Sequence, residues 1–436
     1  MIYTMEKIRK IFIKYSSYIH LAMKQPNRTF IVLLFLCELI SWLFLAISHG
    51  NILDSYFVND YHNTNMDYFN MISYLDEDSP YTMEANYPPM CFFILKIFYH
   101  FIPTFLRGGD GFYYKDLIHA QVLYIFFTIF LLITTWELTK KIYDGNYFEQ
   151  IILATDIVFS GPILFSLERG NLILICLPCL LIFINFYNSY EKSKRWCAYI
   201  ALSIAASIKL YPALFGLLIL QKKRYKEAVQ TIILGLIVFL LPCYAFDGLK
   251  SISGMLHGIV ASSELQSNLG QGYNFSFTNL LRIVSILSKI DLHESIITKF
   301  IIPVFICSII FLTGKEEWKK VYALSLLCIW IPEFSYTYTL MLMIPPLLMY
   351  LKNNNGSFRY IYQFCFIVIL MPLYFPKLKW LDFNVKFPLT LPTAFINIAI
   401  CILTIMILIE DIMIFLYKNG GTYVKNKNTE NFYTKV

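Results

Sequence analysis

Long apolar runs alternate with short polar stretches along the whole chain. The first runs from Phe30 to about Ile47. Others lie near 117–137, 148–166, 172–188, 228–246, 296–313, 320–334, 340–351, 360–376 and 391–416. A helix needs about 20 apolar residues to cross the hydrocarbon of a bilayer, so this spacing predicts an all-α polytopic membrane protein. The polar stretches between runs carry the basic clusters Lys140/Lys141, Lys192–Arg195, Lys222–Lys226, Lys315–Lys320 and Lys352–Arg359. Lys and Arg concentrate on cytoplasmic loops, which places these clusters inside.

Residues 196–220 have basic residues at both flanks, and one crossing cannot put both inside. A break at Lys209-Leu210-Tyr211-Pro212 resolves the conflict, giving two short helices that enter and return as a broken hairpin. Proline removes a backbone donor there, and unwound backbone at membrane depth is tolerated where it lines a cavity. Residues 90–105 then become an interfacial helix outside, with Lys96, His100 and Thr104 on one stripe. The count reaches about twelve crossings, including the two half-helices, with both termini in the cytoplasm.

Three regions follow: a basic cytoplasmic leader at 1–29, a single transmembrane domain at 30–416, and a polar cytoplasmic tail at 417–436. The leader's length and the long run after it favour an uncleaved anchor over a signal peptide. No Lys or Arg occurs between Arg28 and Lys96, whereas Asp54, Asp60, Asp67, Asp76, Glu77, Asp78 and Glu84 fall in that interval. This asymmetry marks 48–89 as outside, and with the interfacial helix the first outside loop extends over 48–116. A second, longer one spans 247–295.

Composition closes off soluble architectures. The chain has 436 residues, 57% hydrophobic and 15% charged, against about 25% charged in an average soluble domain. About twelve spans would use roughly 240 apolar residues, nearly all of them. The net charge of +7 belongs to the cytoplasmic loops and does not indicate nucleic acid. The ten cysteines sit mostly inside apolar runs. Cys176 and Cys179 have CxxC spacing but no second pair, so they do not predict a metal or redox site.

Chemistry is therefore sought in the outside segments. Tyr68, Met71, Ile72 and Leu75 recur at helical spacing and predict a short amphipathic helix, with Asp67, Asn70 and Tyr74 opposite. A carboxylate at the membrane boundary suits a general base towards a hydroxyl; the plainer reading is one acid among seven in a solvated loop. Arg169 lies in the tight turn Glu168-Arg169-Gly170-Asn171, where a positive charge is unusual and a guanidinium suits phosphate. Lys209 lies next to the predicted helix break. An ammonium there needs a partner or a wet cavity, unless it snorkels to the headgroups. Glu38 and Asp156 are further acids within spans, and Glu410 and Asp411 lie where the last span should reach cytoplasmic water. The glycines of Gly270-Gln271-Gly272-Tyr273 lack the context of a nucleotide fingerprint, and no Walker A, HExxH or zinc-ligand pattern occurs. The sequon at Asn274 matters only in a glycosylating host, and those at Asn27 and Asn355 are predicted inside.

The arrangement resembles a known family. The motifs are Met66-Asp67-Tyr68-Phe69, Ser79-Pro80-Tyr81, Tyr87-Pro88-Pro89, Arg169-Gly170-Asn171 and Ile208-Lys209-Leu210-Tyr211-Pro212. Asn274-Phe275-Ser276 and Phe334-Ser335-Tyr336-Thr337-Tyr338 follow in order, so the likeness covers roughly residues 50 to 350. Together they resemble glycosyltransferase family 87, polyprenol-phosphate-sugar-dependent enzymes of the GT-C superfamily that include bacterial α-mannosyltransferases. The resemblance implies a GT-C-type bundle and an inverting, metal-independent displacement without a cofactor. Asp67 would serve as catalytic base, and Arg169 and Lys209 would stabilise the leaving phosphate. Tyr87, Asn171, Asn274, Tyr336 and Tyr338 would contact substrate. The implied partners are a polyprenyl-phosphate-linked sugar donor, a glycolipid or glycan acceptor and membrane lipids, and the implied location is a bacterial plasma membrane with the site facing outside. One departure stands out: tyrosines occupy 336 and 338 where many members carry histidine nearby. A lipid-linked sugar flippase and an envelope polysaccharide polymerase are the competing readings. The first half's acidic loop has no counterpart in the second half, which argues against the related halves common in transporters.

Overall fold

A computed structural model describes residues 26–83, 85–267, 272–290, 295, 297–352, 358–374 and 389–420. Most of the basic leader, most of the polar tail and the sequon at Asn355 lie outside these residues. The described chain is all-helical, with a single isolated bridge between Asn274 and Tyr336. The helices, in chain order, are α1 (Pro26–Ile47), α2 (Met66–Ser73), α3 (Pro89–Tyr99), α4 (Gly111–Asp116), α5 (Ile118–Ile142), α6 (Tyr147–Val158), α7 (Gly161–Arg169), α8 (Ile173–Phe186) and α9 (Lys192–Ile208). They continue as α10 (Leu217–Gln221), α11 (Tyr225–Leu240), α12 (Lys250–Ser267), α13 (Phe277–Ser288), α14 (Ile302–Thr313), α15 (Glu317–Trp330), α16 (Ile344–Lys352), α17 (Arg359–Leu370) and α18 (Leu391–Gly420).

Among the described residues, four helices are long and apolar enough to cross a membrane: Asn27–Ile47, Ile118–Ile142, Tyr225–Ala245 and Leu391–Ile414. A fifth span forms if α6 and α7, bent by 42° at Phe159–Ser160, count as one. The outward faces of the long helices are apolar: Leu36, Leu43 and Phe44 on α1, Phe126 and Phe130 on α5, Ile232 and Leu236 on α11 are all exposed. Such a surface is satisfied by lipid and not by water. The remaining apolar segments are short, including α3, α8, α17 and the stretches Tyr211–Gln221 and Ile297–Thr313.

At the centre stand α8, α15 and α16, each buried along nearly its whole length. A helix apolar on every side belongs inside a bundle. Around them α1 and α6 run parallel. Arg28 approaches Glu149 at one end of the pair (3.9 Å), and the Trp42 ring meets Phe159 edge-on further along (6.3 Å). That register sets Glu38 opposite Asp156, both buried within the pair.

Two sequence expectations change. The segment 247–295, expected as a loop, contains α12 and α13. Glu410 and Asp411 do not reach water: they are 4% and 6% exposed. Lys319 from α15 supplies the reason, with Nζ 2.9 Å from Glu410 Oε2 and 2.8 Å from Asp411 Oδ1. The Tyr362 hydroxyl donates to Glu410 (2.7 Å) and the Thr313 hydroxyl to Asp411 (3.3 Å). α18 packs on α15 and α17 here, so its acids are paired and not solvated. Removing one partner from such a cluster strands buried charge and costs about 3–5 kcal/mol. Lys319→Met is accordingly expected to lower the thermal unfolding midpoint of the detergent-solubilised protein markedly; an unchanged midpoint would show that the cluster does not hold α18 in place.

Candidate active site

Asp67 owes its position to the first residues of α2. The helix starts at Asn65, whose backbone is left-handed (φ 61°). The Asn65 amide donates to the Glu168 carbonyl (2.6 Å), tying the start of α2 to the end of α7. The apolar face predicted for this helix is found: Tyr68, Met71, Ile72 and Leu75 are buried. Asp67 therefore points to the opposite side, towards the turn after α7. That turn closes because Gly170 adopts φ 71°, a conformation that L side chains rarely take. A Cβ at Gly170 would lie 2.9 Å from the Asn65 carbonyl oxygen, so the close approach of α2 to α7 also requires glycine.

The turn delivers two side chains to Asp67. Arg169 Nη2 lies 2.8 Å from Asp67 Oδ1, and its Nη1 donates to the Asn63 carbonyl (3.0 Å). Asn171 Nδ2 donates to Asp67 Oδ2 (2.7 Å) and also lies 3.0 Å from the Tyr87 hydroxyl oxygen. Its Oδ1 accepts the Ile173 amide at the start of α8 (3.0 Å), which fixes the side chain's orientation. Asp67 and Arg169 retain 18% and 14% side-chain exposure, so both are constrained yet reachable.

Lys209 joins from the far side of Tyr87. α9 stops at Ile208, Lys209 is extended (φ −137°, ψ 132°), and a short 3₁₀ turn over Tyr211–Gly216 follows. The break predicted at Lys209–Pro212 is therefore present. Lys209 Nζ lies 4.4 Å from the centre of the Tyr87 ring, a cation–π contact. Among the described residues it makes no side-chain hydrogen bond or ion pair, so its three donors stay available.

Tyr336 and Tyr338 complete one wall. Their rings lie 5.5 Å apart, Phe334 packs on Tyr336 at 4.4 Å, and Phe165 of α7 packs on Tyr338 at 6.2 Å. Burial raises Tyr87 well above the usual phenol range, and the nearby Asp67 charge adds to this. Burial likewise pushes Tyr336 up to about 12, partly opposed by the Arg169 guanidinium. Both phenols remain protonated donors and do not serve as bases.

Asn274 is brought near but plays another part. It is fully buried, its Oδ1 accepts the amides of Ser276 (3.0 Å) and Ser335 (2.9 Å), and Nδ2 points at the Glu333 carbonyl (3.5 Å). Expected to touch substrate, it instead ties residues 274–276 to 333–336 and aims Tyr336. The same engagement leaves no room for a glycan at its sequon. The interfacial stripe is also shorter than expected: α3 ends at Tyr99, and Thr104 belongs to a separate short turn. Lys96 donates to the Ala245 carbonyl (3.1 Å) and lies over the Phe246 ring. No motif or spacing singles out Asn63, Asn65 or Tyr124, whose hydroxyl donates to the Leu167 carbonyl (2.6 Å) and braces the α7 turn.

The site thus combines a carboxylate, a guanidinium clamped to it, an uncommitted ammonium and an aromatic wall. A family model for glycosyltransferase family 87 matches residues 87–314, just over half of the chain. The chain belongs to glycosyltransferase family 87. This is a family of the GT-C type, and the protein is a membrane glycosyltransferase. Tyr87, Arg169, Asn171, Lys209 and Asn274 fall within the matched segment; Asp67, Tyr336 and Tyr338 flank it and are joined to it by the contacts above. Comparison with curated proteins and with solved structures gave no match.

The clamp between α2 and α7 gives a direct test. Gly170→Ala combines a strained backbone with a clash against Asn65 and is expected to cost about 1–3 kcal/mol, lowering the unfolding midpoint and the transferase activity together. Wild-type values of both would mean that the α7 turn does not position Asp67.

Proposed function

We propose that this enzyme transfers a sugar, with mannose the expected one, from a polyprenyl-phosphate-linked donor to an envelope glycolipid or glycan. On this reading the chain crosses a bacterial plasma membrane about twelve times, its short apolar helices supplying the crossings beyond the long ones. Both termini lie in the cytoplasm and the site opens outside. The observation that carries the reading is one ion-paired and one unpaired cation grouped around Asp67 and Tyr87. Arg169 is bound to it, and Lys209 stands free across Tyr87.

The chemistry follows from those positions. Asp67 accepts the proton of the acceptor hydroxyl as its oxygen attacks the anomeric carbon. The bond from that carbon to the phosphate oxygen breaks on the opposite face, and polyprenyl phosphate leaves with the electron pair, so configuration inverts. Charge builds on the leaving phosphate during this step. Cations beside it therefore stabilise the transition state more than the bound substrate. Arg169 and Lys209 take this role, and no metal is needed. Tyr87, Tyr336 and Tyr338 offer phenol donors and apolar ring faces, which suit the hydroxyls and the C–H face of a sugar. Asn171 orients Asp67 and Tyr87 together.

The test uses purified enzyme with a defined polyprenyl-phosphate mannose and a glycolipid acceptor. Asp67→Asn should lower kcat by on the order of 10²–10⁴-fold while the protein still inserts and accumulates. A fully active Asp67→Asn enzyme would sink the assignment. Lys209→Ala should raise KM for the lipid donor and leave KM for the acceptor near the wild-type value; unchanged donor dependence would remove Lys209 from the phosphate site. Transfer of preassembled blocks would indicate a polymerase, and translocation without transfer a flippase.

A further inference from the structure

Three thiols converge on the helix break that presents Lys209. Cys91 of α3 donates to the Ile208 carbonyl (3.5 Å), Cys176 of α8 to the Ala205 carbonyl (3.6 Å) and Cys328 of α15 to the Tyr211 carbonyl (3.3 Å). All three side chains are completely buried. They come from three separate helices and meet the chain on both sides of Lys209, within one stretch of seven residues from 205 to 211.

The break creates the need at Ile208; the Ala205 carbonyl already accepts the Lys209 amide (3.0 Å), and the Tyr211 carbonyl opens the 3₁₀ turn, so Cys176 and Cys328 add second donors there. In a continuous α-helix each carbonyl accepts the amide four residues ahead. For Ile208 that residue is Pro212, which has no N–H to give. An uncapped carbonyl next to Lys209 would be a ready acceptor for its ammonium, and a buried carbonyl without a donor is costly. A thiol is a weak, uncharged donor. It satisfies the carbonyl without adding or cancelling charge, so the Lys209 ammonium keeps its place over Tyr87.

We propose that Cys91, with Cys176 and Cys328 beside it, is a positioning residue for the donor site: the thiols cap the broken helix so that Lys209 stays free for the phosphate of the lipid-linked sugar. This rests on the proposed function of Lys209 and adds a requirement that the function alone does not impose. It also distinguishes between two replacements of equal bulk. Serine keeps an O–H donor on the same Cβ, facing the Ile208 carbonyl; alanine has none.

The experiment compares Cys91→Ala and Cys91→Ser in wild-type background, with polyprenyl-phosphate mannose as the varied substrate at saturating acceptor. Cys91→Ala is expected to raise KM for the donor roughly five- to tenfold, the scale of one lost hydrogen bond, with KM for the acceptor unchanged. Cys91→Ser is expected to restore the wild-type donor KM. A Cys91→Ala enzyme with wild-type donor KM, or a Cys91→Ser enzyme as impaired as Cys91→Ala, would overturn the proposal. So would an equal loss for donor and acceptor, which is the mark of general loosening. If Cys91→Ala does not accumulate, Cys91→Val, which fills the buried site without a donor, is compared with Cys91→Ser, with the same outcomes. A wild-type enzyme that transfers no sugar from this donor refutes the functional reading itself; an active wild type with insensitive cysteines refutes only the role of the thiols.

Discussion

The contact on which the site depends is the one between Asp67 and the turn after α7. A short amphipathic helix of eight residues cannot hold a carboxylate steady by itself, since isolated helices of that length are marginal in water. Its buried face supplies part of the hold. The rest comes from the Asn65 amide on the Glu168 carbonyl and from Arg169 and Asn171 on the two carboxylate oxygens. This makes the bend at Phe159–Ser160 functionally important, because it redirects α7 so that its C-terminal turn meets the first loop. Tyr124 then braces the turn, and Asn171 passes the constraint on to Tyr87 and to the first residue of α8.

A second constraint acts from the other side of the cleft. Pro212 ends regular helix at Ile208 and leaves Lys209 extended, half-buried and, among the described residues, without an anion in contact. An ammonium in such surroundings is costly unless something in the working cycle pays for it. The Tyr87 ring offsets part of that cost, and a phosphate would offset far more. Asp67 is linked through Asn171 to the Tyr87 hydroxyl and Lys209 lies over the Tyr87 ring, each fixed by a different part of the bundle. The clasp of Lys319 with Glu410 and Asp411 keeps α18 packed on α15, the helix that leads into residues 333–338.

Much of this was readable before any coordinates. The amphipathic spacing of Tyr68, Met71, Ile72 and Leu75 located α2 and put Asp67 on its polar side, because helical periodicity depends only on sequence. The conflict of basic flanks around 196–220, together with Pro212, located the break at Lys209. Arg169 stands out as a guanidinium in a tight turn between two apolar runs. What sequence did not reveal were contacts between distant segments. Asn274 reads as a substrate contact because it sits in a polar loop, and only the meeting of residues 274–276 with 333–336 shows it buried with its side-chain oxygen taken by two backbone amides. Glu410 and Asp411 looked solvated because Lys319 lies more than ninety residues away in sequence. The cysteines looked inert, scattered one or two to a helix, and their convergence on one break is a property of packing alone.

The central claim is that Asp67 serves the acceptor side of the anomeric carbon and Lys209 the phosphate side, with the Asp67-bound Arg169 reaching between them. The most direct measurement is a density map of the enzyme with a non-hydrolysable polyprenyl-phosphate sugar analogue bound. The account predicts the phosphate within hydrogen-bond or ion-pair reach of Lys209 and Arg169, with the face of the anomeric carbon opposite the phosphate turned towards Asp67. A phosphate bound elsewhere, or a sugar whose anomeric carbon is shielded from Asp67, would contradict it.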